Sequence, residues 1–163
     1  MESWLADPRS TFARVTPTAI LRVIGAAAAL VSGYAHLTMY NDEYKDIPVD
    51  FGGIGGIDIG QQFLLNVLGA IAIALGLVVP LFVRVPDLVW KLAAIGGIAW
   101  SAVSLLAFYL AHETDDGWFD YVGQPGLKPS PEAPLAVFSE IIVLVAMVAL
   151  LALTARPRPD LSQ

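Results

Sequence analysis

The chain contains no cysteine, which excludes disulfides, thiolate metal sites and thiol nucleophiles. Charge is scarce too. Asp, Glu, Lys and Arg make up 15% of the residues, against the roughly 25% usual in soluble domains. Positive charge is the scarcer sign, with 9 Lys and Arg against 15 Asp and Glu and a formal net charge of −6. Binding a phosphate backbone needs clustered Lys and Arg, so nucleic acid is excluded as a partner. Histidine occurs twice, and neither copy belongs to a His-Glu-x-x-His or Glu-x-x-His pattern, so no ready-made metalloenzyme motif is present. The glycine-rich run 52–60 has no Lys-Ser/Thr after it and reads as a closely packed turn rather than a phosphate cradle. With no nucleophile and base pair and no cofactor motif in view, the composition points away from catalysis.

Apolar length is what the chain has in place of these. It is 56% hydrophobic over 163 residues, with a mean hydropathy of +0.67. Four stretches, about 19–40, 61–83, 88–111 and 134–155, are each long enough to cross a hydrocarbon core of about 30 Å as a helix. The expected fold is therefore all-α, a single four-helix transmembrane bundle over residues 1–163. Met1 to Asp7 is acidic where a secretory signal would be basic, and the first apolar run is too long for a signal peptide, so it is read as a retained span. Pro17 and Pro134 suit first-turn positions of the first and fourth helices, and Asp87 suits the amino-terminal cap of the third.

The basic residues give the expected orientation. Arg9, Arg14, Arg22, Arg84, Lys91, Arg156 and Arg158 flank one set of helix ends, and only Lys45 and Lys128 flank the other. By the positive-inside rule both termini are cytoplasmic, in the cell's inner (plasma) membrane. Two long extracytoplasmic loops then carry most of the acid: Asp42, Glu43, Asp46, Asp50 and Asp58 in the first, and Glu113, Asp115, Asp116, Asp120 and Glu132 in the second. The acid spacing matches no EF-hand calcium loop. Tyr44 and Asp46 in the first loop, with Trp118, Phe119, Asp120 and Tyr121 in the second, combine aromatic and charged side chains as recognition surfaces do. They are the expected partner-contacting positions.

The most unusual residue is Glu140, an ionisable group well inside the fourth apolar run. Charge at that depth is costly and rarely accidental. Small residues at spacings of three and four mark helix faces that approach closely in a bundle. The first helix has such a stripe in Gly25, Ala29, Ser32 or Gly33, leading to His36 and Tyr40; the third has Ala93, Gly97, Ser101, Ser104, Phe108 and His112; the second aligns Gln62 and Asn66 with Gly69 and Gly76. Helical rise places His36, Asn66 and Glu140 in one outer layer, with Gln62 and His112 near its boundary.

Three chemistries fit such a layer. Buried polar groups can simply hydrogen-bond across helices and fix their register. His36, His112 and Glu140 are a legitimate ligand set for Zn, Fe or Mn, and two histidines on different helices can hold a haem. A lone intramembrane carboxylate can also carry a proton or cation, although nothing in the four spans signals the broken helices of transporters.

Leu21-Arg22-Val23-Ile24-Gly25, the Gly33-Tyr34-Ala35-His36-Leu37 helix end and the Gly69 to Leu77 run resemble the small four-helix bacterial membrane proteins of the DoxX-like kind. The alanine-, valine- and glycine-rich spans ending in Arg-Pro-Arg-Pro are also similar to small actinobacterial membrane proteins. The resemblance implies the same four-span layout and, for some members, association with quinone-linked or other oxidoreductase systems. The acidic loops here are longer than in that pattern. The expected function is an integral membrane accessory or interaction subunit. It would sit in the lipid bilayer and dock a membrane protein partner or a second copy through its outer loops and helix faces. The alternative is a small membrane oxidoreductase component, or a metal- or ligand-binding protein, centred on the polar layer.

Overall fold

The computed structural model describes residues 16–45, 57, 59–113 and 131–155. Within them the fold is all-helical: α1 (Pro17–Met39), α2 (Ile59–Val78), α3 (Leu88–Glu113) and α4 (Glu132–Ala155). All four are long and apolar enough to cross a membrane, and the chain is a multi-pass membrane protein of four spans. The expected partner-contacting positions Asp46, Trp118, Phe119, Asp120 and Tyr121 lie outside the described residues, as do the chain ends and the glycine-rich run up to residue 56.

The helix boundaries follow local chemistry. Thr16 caps α1 by accepting from the Ala19 N–H at 3.2 Å through Oγ1, with Pro17 next to it. Proline there gives up a hydrogen bond that the first turn would leave unmade anyway. At its far end α1 widens into a π-helical turn, Tyr40–Tyr44, which the apolar pattern did not foretell. α2 stops at Val78 and tightens into a 3-10 turn, Val79–Leu81, because Pro80 has no N–H to continue the ladder. Asp87 directly precedes α3 as expected, and its Oδ1 accepts from the Trp90 indole at 3.2 Å. Pro134 lies in the first turn of α4 beside Glu132, whose charge suits the positive end of the helix dipole.

Close approaches at small residues fix the register. A Cβ on Gly33 would lie 2.8 Å from Ala70 Cβ, and one on Gly25 would meet Met147 Cε and approach Leu77. A Cβ on Gly69 would come within 2.9 Å of the Trp100 ring, and one on Gly76 within 2.6 Å of Ala93 Cβ. Moving up one helix thus means moving down its neighbour, so α1 and α2 run antiparallel, as do α2 and α3. α4 runs against both α1 and α3. Met147 lies against Gly25 and Gly97, and one heptad earlier Glu140 meets Ser32 and Ser104, each one heptad further along its own helix. A repeat of seven between antiparallel helices is the geometry of a left-handed bundle. α1 and α3 each pack on both α2 and α4.

The core is built mainly from Ala26, Ala29, Ala70, Ala74, Ala94 and Ala146, around the fully buried Leu77, Met147 and Leu150. Small side chains suit this setting. Lipid offers no hydrophobic driving force between helices, so association depends on close van der Waals contact and hydrogen bonds.

Candidate functional site

Glu140 reaches the bundle axis from α4, where it is 3% exposed. Counted from the helix ends that α1 and α3 reach and α2 and α4 start from, Glu140, Ser32, Asn66 and Ser104 all lie roughly 10 to 14 Å inside. One layer therefore collects polar side chains from all four helices.

The hydrogen bonds in this layer run in one direction. Trp100 Nε1 donates to Asn66 Oδ1, Asn66 Nδ2 donates to Ser104 Oγ at 3.4 Å, and Ser104 Oγ donates to Glu140 Oε1 at 2.6 Å. Ser32 Oγ donates to the same Oε1 at 3.1 Å. The carboxyl thus ends a chain that passes from α3 to α2, back to α3 and on to α4, and a second hydroxyl from α1 meets it there. Successive donor-acceptor groups polarise one another, so such a chain acts as a unit. The Trp100 ring that starts it lies against Gly69, which admits the indole where any larger residue would displace it.

His36 approaches the same oxygen from α1. Its Nδ1 lies 2.8 Å from the Ser32 carbonyl oxygen. A carbonyl only accepts, so Nδ1 carries the hydrogen in this arrangement. Nε2 then faces Glu140 Oε1 at 3.8 Å, too long for a hydrogen bond but close enough for an ion pair when the ring is protonated. Chemically, the pair is a place where one proton can reside on either partner. Phe63 lies 5.4 Å from the imidazole, ring centre to ring centre, and Tyr44 from the π-helical turn stacks on Phe63 at 4.6 Å. Aromatic rings therefore cover His36 on the side of the helix ends.

The space beside Glu140 is small. A cavity of about 10 Å³, bordered by Ser32, Asn66, Ser101, Trp100 and Val143, has room for about one water molecule.

The structure brings together only part of the expected set. Glu140 and His36 join the layer, and Asn66 joins through Ser104. Gln62 does not: its Nε2 donates to the Ile57 carbonyl at 3.4 Å, near the start of α2. Tyr40 is half-buried and caps α1 through its backbone N–H to His36 and Leu37. His112 stacks on Phe108 at 4.2 Å, with Nδ1 2.9 Å from the Phe108 carbonyl oxygen. It is eight residues beyond Ser104 on α3, about 12 Å of rise, which carries it past Glu140. The expected metal set of His36, His112 and Glu140 is therefore not assembled, and among the described residues no three His, Cys, Asp or Glu side chains come together as ligands.

Trp100 had no place in the sequence reading, and Ser32 and Ser104 appeared there only as small packing residues. Spacing carried the signal. Ser32 is one turn before His36, and Trp100 one turn before Ser104, so each pair shares a helix face. Asn66 needs both a donor and an acceptor when buried, which asked for two partners rather than one.

Comparison with known proteins adds no relative: no family model, no curated protein and no solved structure matches the chain.

Proposed function

We propose that the protein is a membrane accessory subunit, a four-span scaffold that docks a larger membrane protein through its outward surfaces. The observation that carries this reading is how the polar interior is used. Trp100, Asn66 and Ser104 form one chain onto Glu140 Oε1, Ser32 donates to the same oxygen, and the cavity beside them fits about one water. Such a layer fixes helix register and leaves recognition to the outside. There the helices are unequal: α1 and α4 bury a larger share of their apolar length in the bundle than α3 does. The open side of α3 includes Gly96, beside which an added Cβ would find nothing within 4 Å, with Ala99 and Ala102 exposed near it. Small residues on an open face let a further helix approach closely, and the occupant we assign is a transmembrane helix of a different protein.

In this reading both termini face the cytoplasm of a bacterial-type inner membrane, and the acidic loops with Tyr44, Asp46 and Trp118–Tyr121 face outward and extend the docking surface. The DoxX-like resemblance supports the same layout. Purification in a gentle detergent, with mass spectrometry of whatever accompanies the chain, tests the assignment. A stoichiometric membrane protein that is lost on Gly96→Leu or Ala99→Leu is the expected result. A lone monomer, or a homodimer alone, would count against it.

A second reading rests on the 3.8 Å approach of His36 Nε2 to Glu140 Oε1. A proton-sharing pair in a buried layer also suits a small oxidoreductase component. A visible absorption spectrum and metal content of the purified protein separate the two readings, since bound haem or metal would favour this one.

A further inference from the structure

The other end of the bundle, where α1 and α3 begin, gathers two cations on one indole. Arg22 Cζ lies 4.3 Å from the Trp90 ring centroid and Lys91 Nζ 5.5 Å from it. Trp90 is 4% exposed and is held by its Nε1 hydrogen bond to Asp87. Arg22 is five residues into α1, about 8 Å inside the span, where a guanidinium is costly unless it stacks, pairs or reaches the interface.

Stacking meets only part of that need. It occupies the face of the guanidinium and leaves the N–H donors at its edge. Arg22 Nε is buried and has no hydrogen-bond partner, and no carboxylate among the described residues forms an ion pair with Arg22 or Lys91. Asp87, which holds the indole through Oδ1, is one carboxylate near two cations. The fold supplies positive charge and an unspent donor at this point, and among the described residues no side chain accepts from Arg22 Nε.

Position narrows the ligand. Arg22 lies about 8 Å inside the span, and the outward faces of α1 and α3 at this end carry exposed large apolar residues, Ile20, Val23 and Ile24 on one and Leu88, Val89 and Leu92 on the other. An anion that meets the two cations does so at the level of the headgroups that border these faces. Basic pockets between transmembrane helices recognise lipid headgroups in this way. We propose that Arg22 and Lys91, positioned on Trp90, bind the phosphate of an anionic phospholipid in the leaflet at this end of the bundle. A net anionic headgroup is selected over a zwitterionic one because two cations face it and, among the described residues, Asp87 alone offsets them, which leaves a net positive charge.

Native mass spectrometry of the full chain, released from micelles holding equal phosphatidylglycerol and phosphatidylcholine, tests this site. One basic group near an anionic surface contributes about fivefold in affinity, so the wild type is expected to retain phosphatidylglycerol over phosphatidylcholine by about 30-fold. Arg22→Gln and Lys91→Gln should each lower that ratio about fivefold. Lys45→Gln, at the opposite helix ends, should leave it unchanged. Lys91 is exposed, so Lys91→Gln keeps the fold and decides the matter even where Arg22→Gln does not. Equal retention of the two lipids by the wild type, or an unchanged ratio in Lys91→Gln, overturns the proposal. So does displacement of the lipid by millimolar inorganic phosphate, which would make this a free-phosphate site.

Discussion

Replacing Glu140 by methionine tests whether the polar layer is a register clasp. Met147, one heptad on, already fills the equivalent place against Gly25 and Gly97, so a methionine of similar length fits position 140 without a large cavity. What Glu140→Met removes is the acceptor of two hydroxyls, Ser32 at 3.1 Å and Ser104 at 2.6 Å. Hydrogen bonds between membrane helices average about 0.6 kcal/mol and reach about 1.7 kcal/mol. Each serine has a fallback in the carbonyl one turn back on its own helix, as Ser139 shows by donating to Leu135 O at 2.7 Å. The expected loss is therefore about 1 to 3 kcal/mol. Glu140→Gln keeps an oxygen in the place of Oε1 and should lose less than about 1 kcal/mol. The triple change Ser32→Ala, Glu140→Met, Ser104→Ala removes two donors together with their acceptor and should lie within about 2 kcal/mol of wild type, the shortfall being the Asn66 amide that loses Ser104 Oγ. Reversible unfolding in mixed micelles, followed by circular dichroism, gives all three values. The reasoning fails if Glu140→Gln is as damaging as Glu140→Met, or if the triple variant is the least stable of the set.

Other outcomes follow from single contacts. Gly33→Ala drives a Cβ to 2.8 Å from Ala70 Cβ and should lower stability by about 1 to 3 kcal/mol through overpacking, whereas Gly96→Ala meets nothing within 4 Å and should melt at or above the wild-type temperature. Trp100→Phe keeps a ring over Gly69 but removes the donor to Asn66; a double-mutant cycle with Asn66→Leu should show coupling of at least about 0.5 kcal/mol, and additive effects would sever the chain at its first link. Chelator treatment should leave the thermal transition unchanged, since His112 is stacked on Phe108 and away from Glu140; a fall in melting temperature that zinc restores would show a ligand set assembled elsewhere.

The spans were legible in the sequence because apolar length is a one-dimensional property that lipid imposes directly. The expected bounds of α1, α3 and α4 lie close to the observed ones. α2 ends earlier than its hydropathy suggested because Val79 to Val83 remain apolar while Pro80 breaks the ladder. The layer around Glu140 was legible in depth but not in its partners. Depth follows from counting residues, whereas partners depend on the rotation of each helix, which the glycine contacts at Gly25, Gly33, Gly69 and Gly76 set. Counting alone put His112 near the boundary of the layer, and its place on the small-residue stripe of α3 made it a candidate ligand beside Glu140. The heptad register instead pairs Glu140 with Ser104, two turns nearer the centre of α3.

The central claim is that the polar layer holds the bundle together and that recognition occurs on its outside. The direct test is to purify the wild type and the Ser32→Ala, Glu140→Met, Ser104→Ala variant side by side in a gentle detergent and to quantify accompanying membrane proteins by mass spectrometry. The account predicts a folded variant that retains the same partner at the same ratio as wild type. A variant that folds yet loses its partner would contradict it and make Glu140 part of the function itself.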